Sequence, residues 1–310
     1  MVRNTISLLF VVAVNLGFAQ PVEYWDLVKE ADSLYRVKDY GNASAKYSSA
    51  FKAYGWRGMV NDRYNAACSW ALIGNADSAF FQLERIATKG NYSNYGHITT
   101  HTDLTGLHSD KRWTPLIELV KQNKEKAEAN FNRPLISQLD SVYTEDQKYR
   151  LMISDIEKKY GYESKEMREL WRTMHKKDSI NLIIVTSILD KFGWLGADVV
   201  GAQGNATLFL VIQHSDLKTQ EKYLPMMRDA VKNGKAPGSS LALLEDRVAL
   251  GQGRKQIYGS QIHRDPPTGK YFVGPIEDEP NVNKRRAAVG LEPLEDYVKL
   301  WGIDYKLPAK

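Results

Sequence analysis

Along the first hundred residues, apolar side chains recur mostly at gaps of three and four, the spacing that gathers them into one stripe on an α-helix. Ala31, Leu34, Tyr40, Ala43, Tyr47 and Ala50 form such a series around the polar break Lys38-Asp39-Tyr40-Gly41. The pattern predicts a helix, a turn and a second helix. Ala67, Trp70, Gly74, Ala79, Leu83 and Ile86 repeat it around Gly74-Asn75-Ala76-Asp77, where Asn75 or Asp77 can cap the helix that follows. Ala31 and Ala67 lie 36 residues apart, so the offset marks an internal repeat. After a polar loop, Asn91 to Thr102, helical spacing returns with Leu104, Leu107, Trp113, Leu116 and Ile117.

Small residues at the helix crossings and large ones between helices, over about residues 24 to 90, resemble the tetratricopeptide consensus. The segment Asp103 to Trp113 looks like the cap that closes such arrays in bacterial envelope proteins. Each repeat buries its faces only against neighbours, so two repeats and a cap make a minimal solenoid. The resemblance implies a concave surface that holds a protein or peptide partner. Tyr24, Trp25, Tyr35, Tyr54, Trp56, Tyr92 and Tyr95 are its candidate aromatics, with packing between helices as their alternative role.

Lys121 to Ala129 is charged and helix-prone, and Asn130 to Pro134 interrupts it, so a linker is placed at 122–134 between a repeat domain, 20–121, and a second domain, 135–310. There the spacing predicts helices over Leu135 to Arg150, Ser164 to His175, and Asp178 or Ser179 to Leu189 with a stop at Gly193. Further helices are expected over Ala206 to His214 with Asn205 as cap, Thr219 to Asn233, and Ser239 to Leu250. Lys255 to Tyr258 and Lys270 to Val273 suggest a small hairpin. The expected fold is mainly α: a short tetratricopeptide-like helical-hairpin solenoid followed by a mostly helical domain with at most a small β-hairpin.

The N-terminus alters the compartment. Arg3, the apolar run Ile6 to Val14 and the small residues of Gly17-Phe18-Ala19 read as a secretory signal over residues 1–19, cut before Gln20. The run is shorter than the roughly 20 residues that span a bilayer. The mature chain is therefore expected to be exported, periplasmic or extracellular, with no transmembrane segment. A content of 43% hydrophobic and 25% charged residues fits a globular protein, and the net charge of +5 is dispersed among acids, so no nucleic-acid partner is expected. The single cysteine, Cys68, has no partner for an internal disulfide and sits on a helical pattern as a small packing residue.

Candidate chemistry gathers where the apolar helices of the second domain end. The blocks are Asp146-Gln147 with Arg150, Gly193-Trp194, Gln213-His214 with Asp216, Asp246-Arg247, Gln256 with Tyr258, Gly259 and Gln261, and Pro275-Ile276-Glu277-Asp278. In this order, over about residues 135 to 302, they resemble a bacterial domain family of unknown function. That resemblance carries no activity with it. Read chemically, His214 is a candidate acid or base, Asp246 its orienter, and Arg150 or Arg247 an anion clamp, with Gln256, Tyr258, Gln261 and Asp146 alongside. The same residue types also build ion-pair networks that fix helix packing, and both readings stand. His214, Asp216 and His263 lack HExxH or Cys-pair spacing, so no metal site is expected. Gly196, Gly201 and Gly204 lack the lysine of a phosphate loop and the spacing of a dinucleotide fingerprint, so no cofactor is expected either. The sequence thus suggests an exported interaction scaffold with an accessory recognition domain; its alternative is a hydrolase or transferase acting around His214, Asp246 and Gln256.

Overall fold

Each polar break in the N-terminal series is a helix cap. In the computed structural model, which describes residues 22–265 and 268–308, the Asp39 carboxylate accepts the Asn42 N–H and the Asn75 amide oxygen accepts that of Ser78. The secretory signal expected at 1–19 lies outside the described residues. The chain divides into two units, one ending at Ala127 and one beginning at Glu128.

The first unit contains α1 (Val22–Arg36), α2 (Tyr40–Ala53), α3 (Val60–Leu72), α4 (Ala76–Lys89), α5 (Tyr95–Thr100) and α6 (Trp113–Ala127). The pairs α1–α2 and α3–α4 are helical hairpins that pack in sequence. Ala31, Ala43, Tyr47, Ala50, Ala67, Ala79 and Leu83 are all fully buried, so the repeated positions are those at which the helices touch. The loop expected at Asn91 to Thr102 instead holds α5, capped by Asn94, whose six residues are too few to show a period. A 3-10 turn at Thr102–Leu107 then buries Leu104 and Leu107. Tyr24 is core, Tyr35, Tyr54, Tyr92 and Tyr95 are half-buried, and Trp25 and Trp56 are exposed.

The second unit comprises α7 (Arg133–Arg150), α8 (Ile153–Tyr160), α9 (Lys165–Phe192), α10 (Ala197–Gln213), α11 (Leu217–Lys232), α12 (Gly238–Gly251), β1 (Ile262–Arg264), β2 (Tyr271–Val273), α13 (Val282–Ala288) and α14 (Leu294–Tyr297). Three expectations need correction. The two helices predicted on either side of Lys176 are one helix of 28 residues, because His175-Lys176-Lys177-Asp178 contains no glycine or proline to break it. Asn205 caps nothing: α10 already begins at Ala197, kinks at Gly201 (φ 70°), and buries Asn205, whose amide donates to the Leu195 and Lys235 carbonyls. The hairpin pairs β1 with β2, while Gln256 makes a lone parallel bridge to Ile276.

Contacts between α7 and α10 advance together along both helices. Asn132 N donates to Val199 O at 2.8 Å, and Gln203 Nε2 to Asp140 Oδ1 at 2.7 Å. Gly204 faces Leu139, and His214 meets Asp146. The helices therefore run side by side in the same direction, and α9 packs on both, contributing Val185, Ile188 and Leu189 to the core they share. A Cβ on Gly204 would lie 3.1 Å from the Val200 Cβ and 3.2 Å from the Leu139 Cδ1, which is why this turn of α10 carries none. Among the described residues, no helix is long and apolar enough to cross a membrane.

Gly204→Val is expected to prise α7 from α10 and destabilise the domain by about 2 kcal/mol, overpacking outweighing the gain in helix propensity. Urea unfolding midpoints check it.

Candidate functional site

Asp146 lies four residues before the end of α7, just ahead of its charged last turn, with 1% of its surface exposed. Burial alone raises the pKa of a carboxyl, and here several partners outweigh it. His214 Nδ1 stands 3.1 Å from Oδ1, Arg150 Nη1 3.3 Å from the same oxygen, and Gln147 Nε2 donates to Oδ2 at 2.7 Å. Against the push of desolvation, the hydrogen bond and charge of His214, then Arg150 and Gln147, hold Asp146 below its ordinary value of 3.8. It is ionised at neutral pH and can only accept, so Nδ1 of His214 carries the proton and Nε2 is the nitrogen left for exchange.

Arg150 extends the pair onto α9. Its Nη1 also donates to the Asp146 carbonyl at 2.6 Å, and its Nη2 reaches both oxygens of Asp178 at 2.9 Å. Asp146, Asp178, His175, Ser179 and His214, with Ser215 and Asp216, line a cleft of about 240 Å3 whose apolar wall is Leu182 and Val211. Both serine hydroxyls donate to backbone carbonyls, Ser179 to His175 at 2.9 Å and Ser215 to Ile212 at 2.7 Å. Asp216 is the cap of α11, accepting from Thr219 N at 2.8 Å. His175 and Asp178 are not among the candidates above, although their i, i+3 spacing places them on one helix face.

The remaining candidates form a second cluster. Asp246, fully buried, does not orient His214. Its Oδ1 accepts the N–H groups of Ile257 (2.6 Å) and Tyr258 (2.9 Å), and its Oδ2 that of Ser260 (2.8 Å). The carbonyls of the same loop are held from elsewhere: Arg285 takes Ile257 O, Arg286 takes Tyr258 O, and the Tyr297 hydroxyl donates to Ser260 O. Gln256 closes the loop by bonding both backbone groups of Gln261, its Oε1 accepting N–H at 2.7 Å and its Nε2 donating to the carbonyl at 3.2 Å. Gly259 sits at φ 68°, where a Cβ would lie 2.6 Å from Ile276, so this position admits only glycine. Arg247 Nε donates to Gln261 Oε1 at 2.9 Å. Burial, then the nearby charge of Arg150, lowers the Arg247 pKa. Burial raises that of Tyr258.

The Leu243 carbonyl oxygen is approached both by Gln213 Nε2 (3.4 Å), next to His214 in the chain, and by Gln261 Nε2 (3.2 Å). Of the sequence candidates, Asp146, Arg150 and His214 share the region of the cleft; Asp246, Arg247, Gln256, Tyr258 and Gln261 belong to the clamped loop and its surroundings. His263 stacks on Phe272, and its Nε2 and the Gln256 Nε2 both lie beside Gly274.

A different kind of surface occurs in the first unit. Trp56 is 59% exposed, yet its backbone is pinned in the left-handed region at φ 59°. Its N–H donates to Phe51 O at 2.6 Å, and its carbonyl accepts from Arg63 (2.7 Å) and Arg85 (3.2 Å). Arg63 is itself buried and stacks on Phe51.

Fold and site thus define a mainly helical protein whose second unit carries a histidine–aspartate pair at a cleft. Residues 135–310, more than half of the chain, match a family of unknown function (DUF6624), and the chain belongs to that family. No curated protein and no solved structure matches it.

Because the folded Asp146 carboxyl titrates below its ordinary value, its contribution to stability is complete above 3.8 and is lost as the pH falls through the lower folded value. Asp146→Asn is accordingly expected to lose about 2 kcal/mol near neutral pH, with the gap to the parent closing in strong acid. Urea titrations across that range measure both.

Proposed function

We propose that this is an exported interaction protein, in which the N-terminal helical hairpins hold a protein or peptide segment and the DUF6624 domain is a recognition module for a small polar ligand. The observation that carries the partner-binding role is Trp56, a large indole in solvent on a backbone locked by two guanidiniums. Binding energy concentrates in such anchors, because a preordered aromatic buries a large area at little entropic cost. Two hairpins built on small-residue crossings support the tetratricopeptide-like character. Export rests on the pattern of residues 1–19 alone.

The second reading is a hydrolase acting at the cleft, and the His214–Asp146 pair favours it. A ring whose Nδ1 is committed to an ionised carboxylate presents Nε2 for taking a proton from water or returning one to a leaving group. With the hydroxyls of Ser179 and Ser215 turned to backbone carbonyls, water activated by His214 suits this arrangement better than a covalent enzyme intermediate.

Cross-linked pull-down from envelope extract with the mature chain, whose mass should correspond to a start at Gln20, tests the first reading. Trp56→Ala is expected to weaken partner retention by about tenfold or more with the fold intact. Retention of no partner by the parent, or of the same partners by the variant, rejects it. For the second reading, His214→Asn, whose amide can still donate to Asp146, should keep the fold by circular dichroism and abolish turnover in a screen of ester, amide and phosphoester substrates. Unchanged hydrolysis would exclude the histidine as the base.

A further inference from the structure

We propose that Cys68, His101 and Asp103 form a binding site for a borderline-soft divalent cation of the zinc class in the N-terminal unit. The three donors come from separate local structures: the interior of α3, the residue that ends α5, and the 3-10 turn that follows. Cys68 Sγ lies 3.9 Å from His101 Nδ1, and that nitrogen lies 3.9 Å from Asp103 Oδ2. All three ligand atoms fall within 4.8 Å of one another, and among the described residues this is the one group of three His, Cys, Asp or Glu side chains that converges so closely. Tetrahedral zinc with bonds of about 2.0 to 2.3 Å holds its donors about 3.3 to 3.7 Å apart. To form a coordination shell, the two 3.9 Å distances need to contract by a few tenths of an ångström, and the thiolate and carboxylate, within 4.8 Å of each other, by at most about 1.3 Å.

The surroundings suit an ion. Thiolate and carboxylate together balance a dication, and the imidazole supplies a neutral third ligand. The Tyr35 hydroxyl donates to Asp103 Oδ2 and fixes the carboxylate, as outer hydrogen-bond partners do around metal ligands. Cys68 is 1% exposed, whereas the His101 and Asp103 side chains keep 28% and 21% of their surface, leaving a side from which the ion enters and a fourth position for water.

The competing reading of the same residues is a nucleophilic cysteine activated by a histidine–aspartate pair. That arrangement needs the thiol on one ring nitrogen and the carboxylate on the other. Here both face Nδ1. Burial, and then the charge of Asp103, also push the Cys68 thiol up to about 12, the opposite of what a nucleophile requires. A bound cation reverses that balance: the metal–sulfur bond forms as the thiol proton leaves to solvent.

Titration of the reduced full-length chain with Co2+ alone should produce a near-ultraviolet thiolate-to-cobalt charge-transfer band that saturates at one ion per chain and is bleached by Zn2+. Cys68→Ser should abolish the band. Asp103→Asn, which keeps an oxygen for Tyr35, should weaken Zn2+ binding by about tenfold or more with an unchanged circular dichroism spectrum, and Tyr35→Phe by a similar factor. His108→Ala, outside the cluster, should bind as the parent does. A parent chain that gives no charge-transfer band, or equal Zn2+ affinity in the parent, Asp103→Asn and His101→Ala, overturns the proposal.

Discussion

A carboxylate almost wholly removed from water must be met by positive charge or hydrogen-bond donors where it lies, and the packing of α7 beside α10 satisfies that demand for Asp146. The two helices run in the same direction with matched contacts, so a glycine three turns before the end of α10 decides how closely they approach, and that distance decides whether His214 reaches Asp146. Arg150 then carries the contact to α9 through Asp178. Three helices are thereby tied at the rim of one cleft by groups that are also chemically competent. The helices and the pair are one arrangement: the apolar faces bring the polar ends together, and the polar ends define the register of the faces.

The clamped loop after α12 answers a different need. A buried irregular segment exposes backbone groups that no helix or sheet satisfies. Asp246 takes three of its N–H groups, while Arg285, Arg286 and Tyr297 take its carbonyls. Arg286, wholly buried, also donates to Glu292 O and lies against the Tyr297 ring. These side chains resemble catalytic ones in type, but each is committed to holding the backbone, with Arg286 Nη2 left without a hydrogen-bond partner. His214 instead bonds Asp146 through one ring nitrogen and keeps the other available.

In the first unit, alanines at the crossings bring the helices close, Tyr24, Tyr47, Phe51 and Phe80 fill the space beside them, and the aromatics Trp25 and Trp56 stay exposed. One, Trp56, is held outward by the same buried arginine that braces Phe51. Behind the second hairpin, the turn from α5 into the 3-10 segment carries His101 and Asp103 toward Cys68.

How much was legible in the sequence follows from the range of each interaction. Helices, caps and the repeat are local: a residue and its neighbours three or four positions away share a face, so the hairpins, the Asn75 cap and the Asp146–Arg150 pair were readable directly. Boundaries were misplaced where an element depended on burial instead of pattern, as in the single helix α9 and the early start of α10 around its Gly201 kink. Partner choice was not readable at all. Asp146 and Asp246 are both acidic residues next to amides or arginines in the chain, yet one meets a histidine 68 positions away and the other the amides of a loop. Cys68 likewise read as packing, because its imidazole and carboxylate neighbours arrive from 33 and 35 positions further on. The sequence by itself determined where most of the longer helices lie and which of their faces are apolar, since these follow from spacing, and left the short helices α5, α8, α13 and α14 unmarked. Which charge lies beside which, and so where chemistry is possible, was decided only when helices distant in the chain packed together.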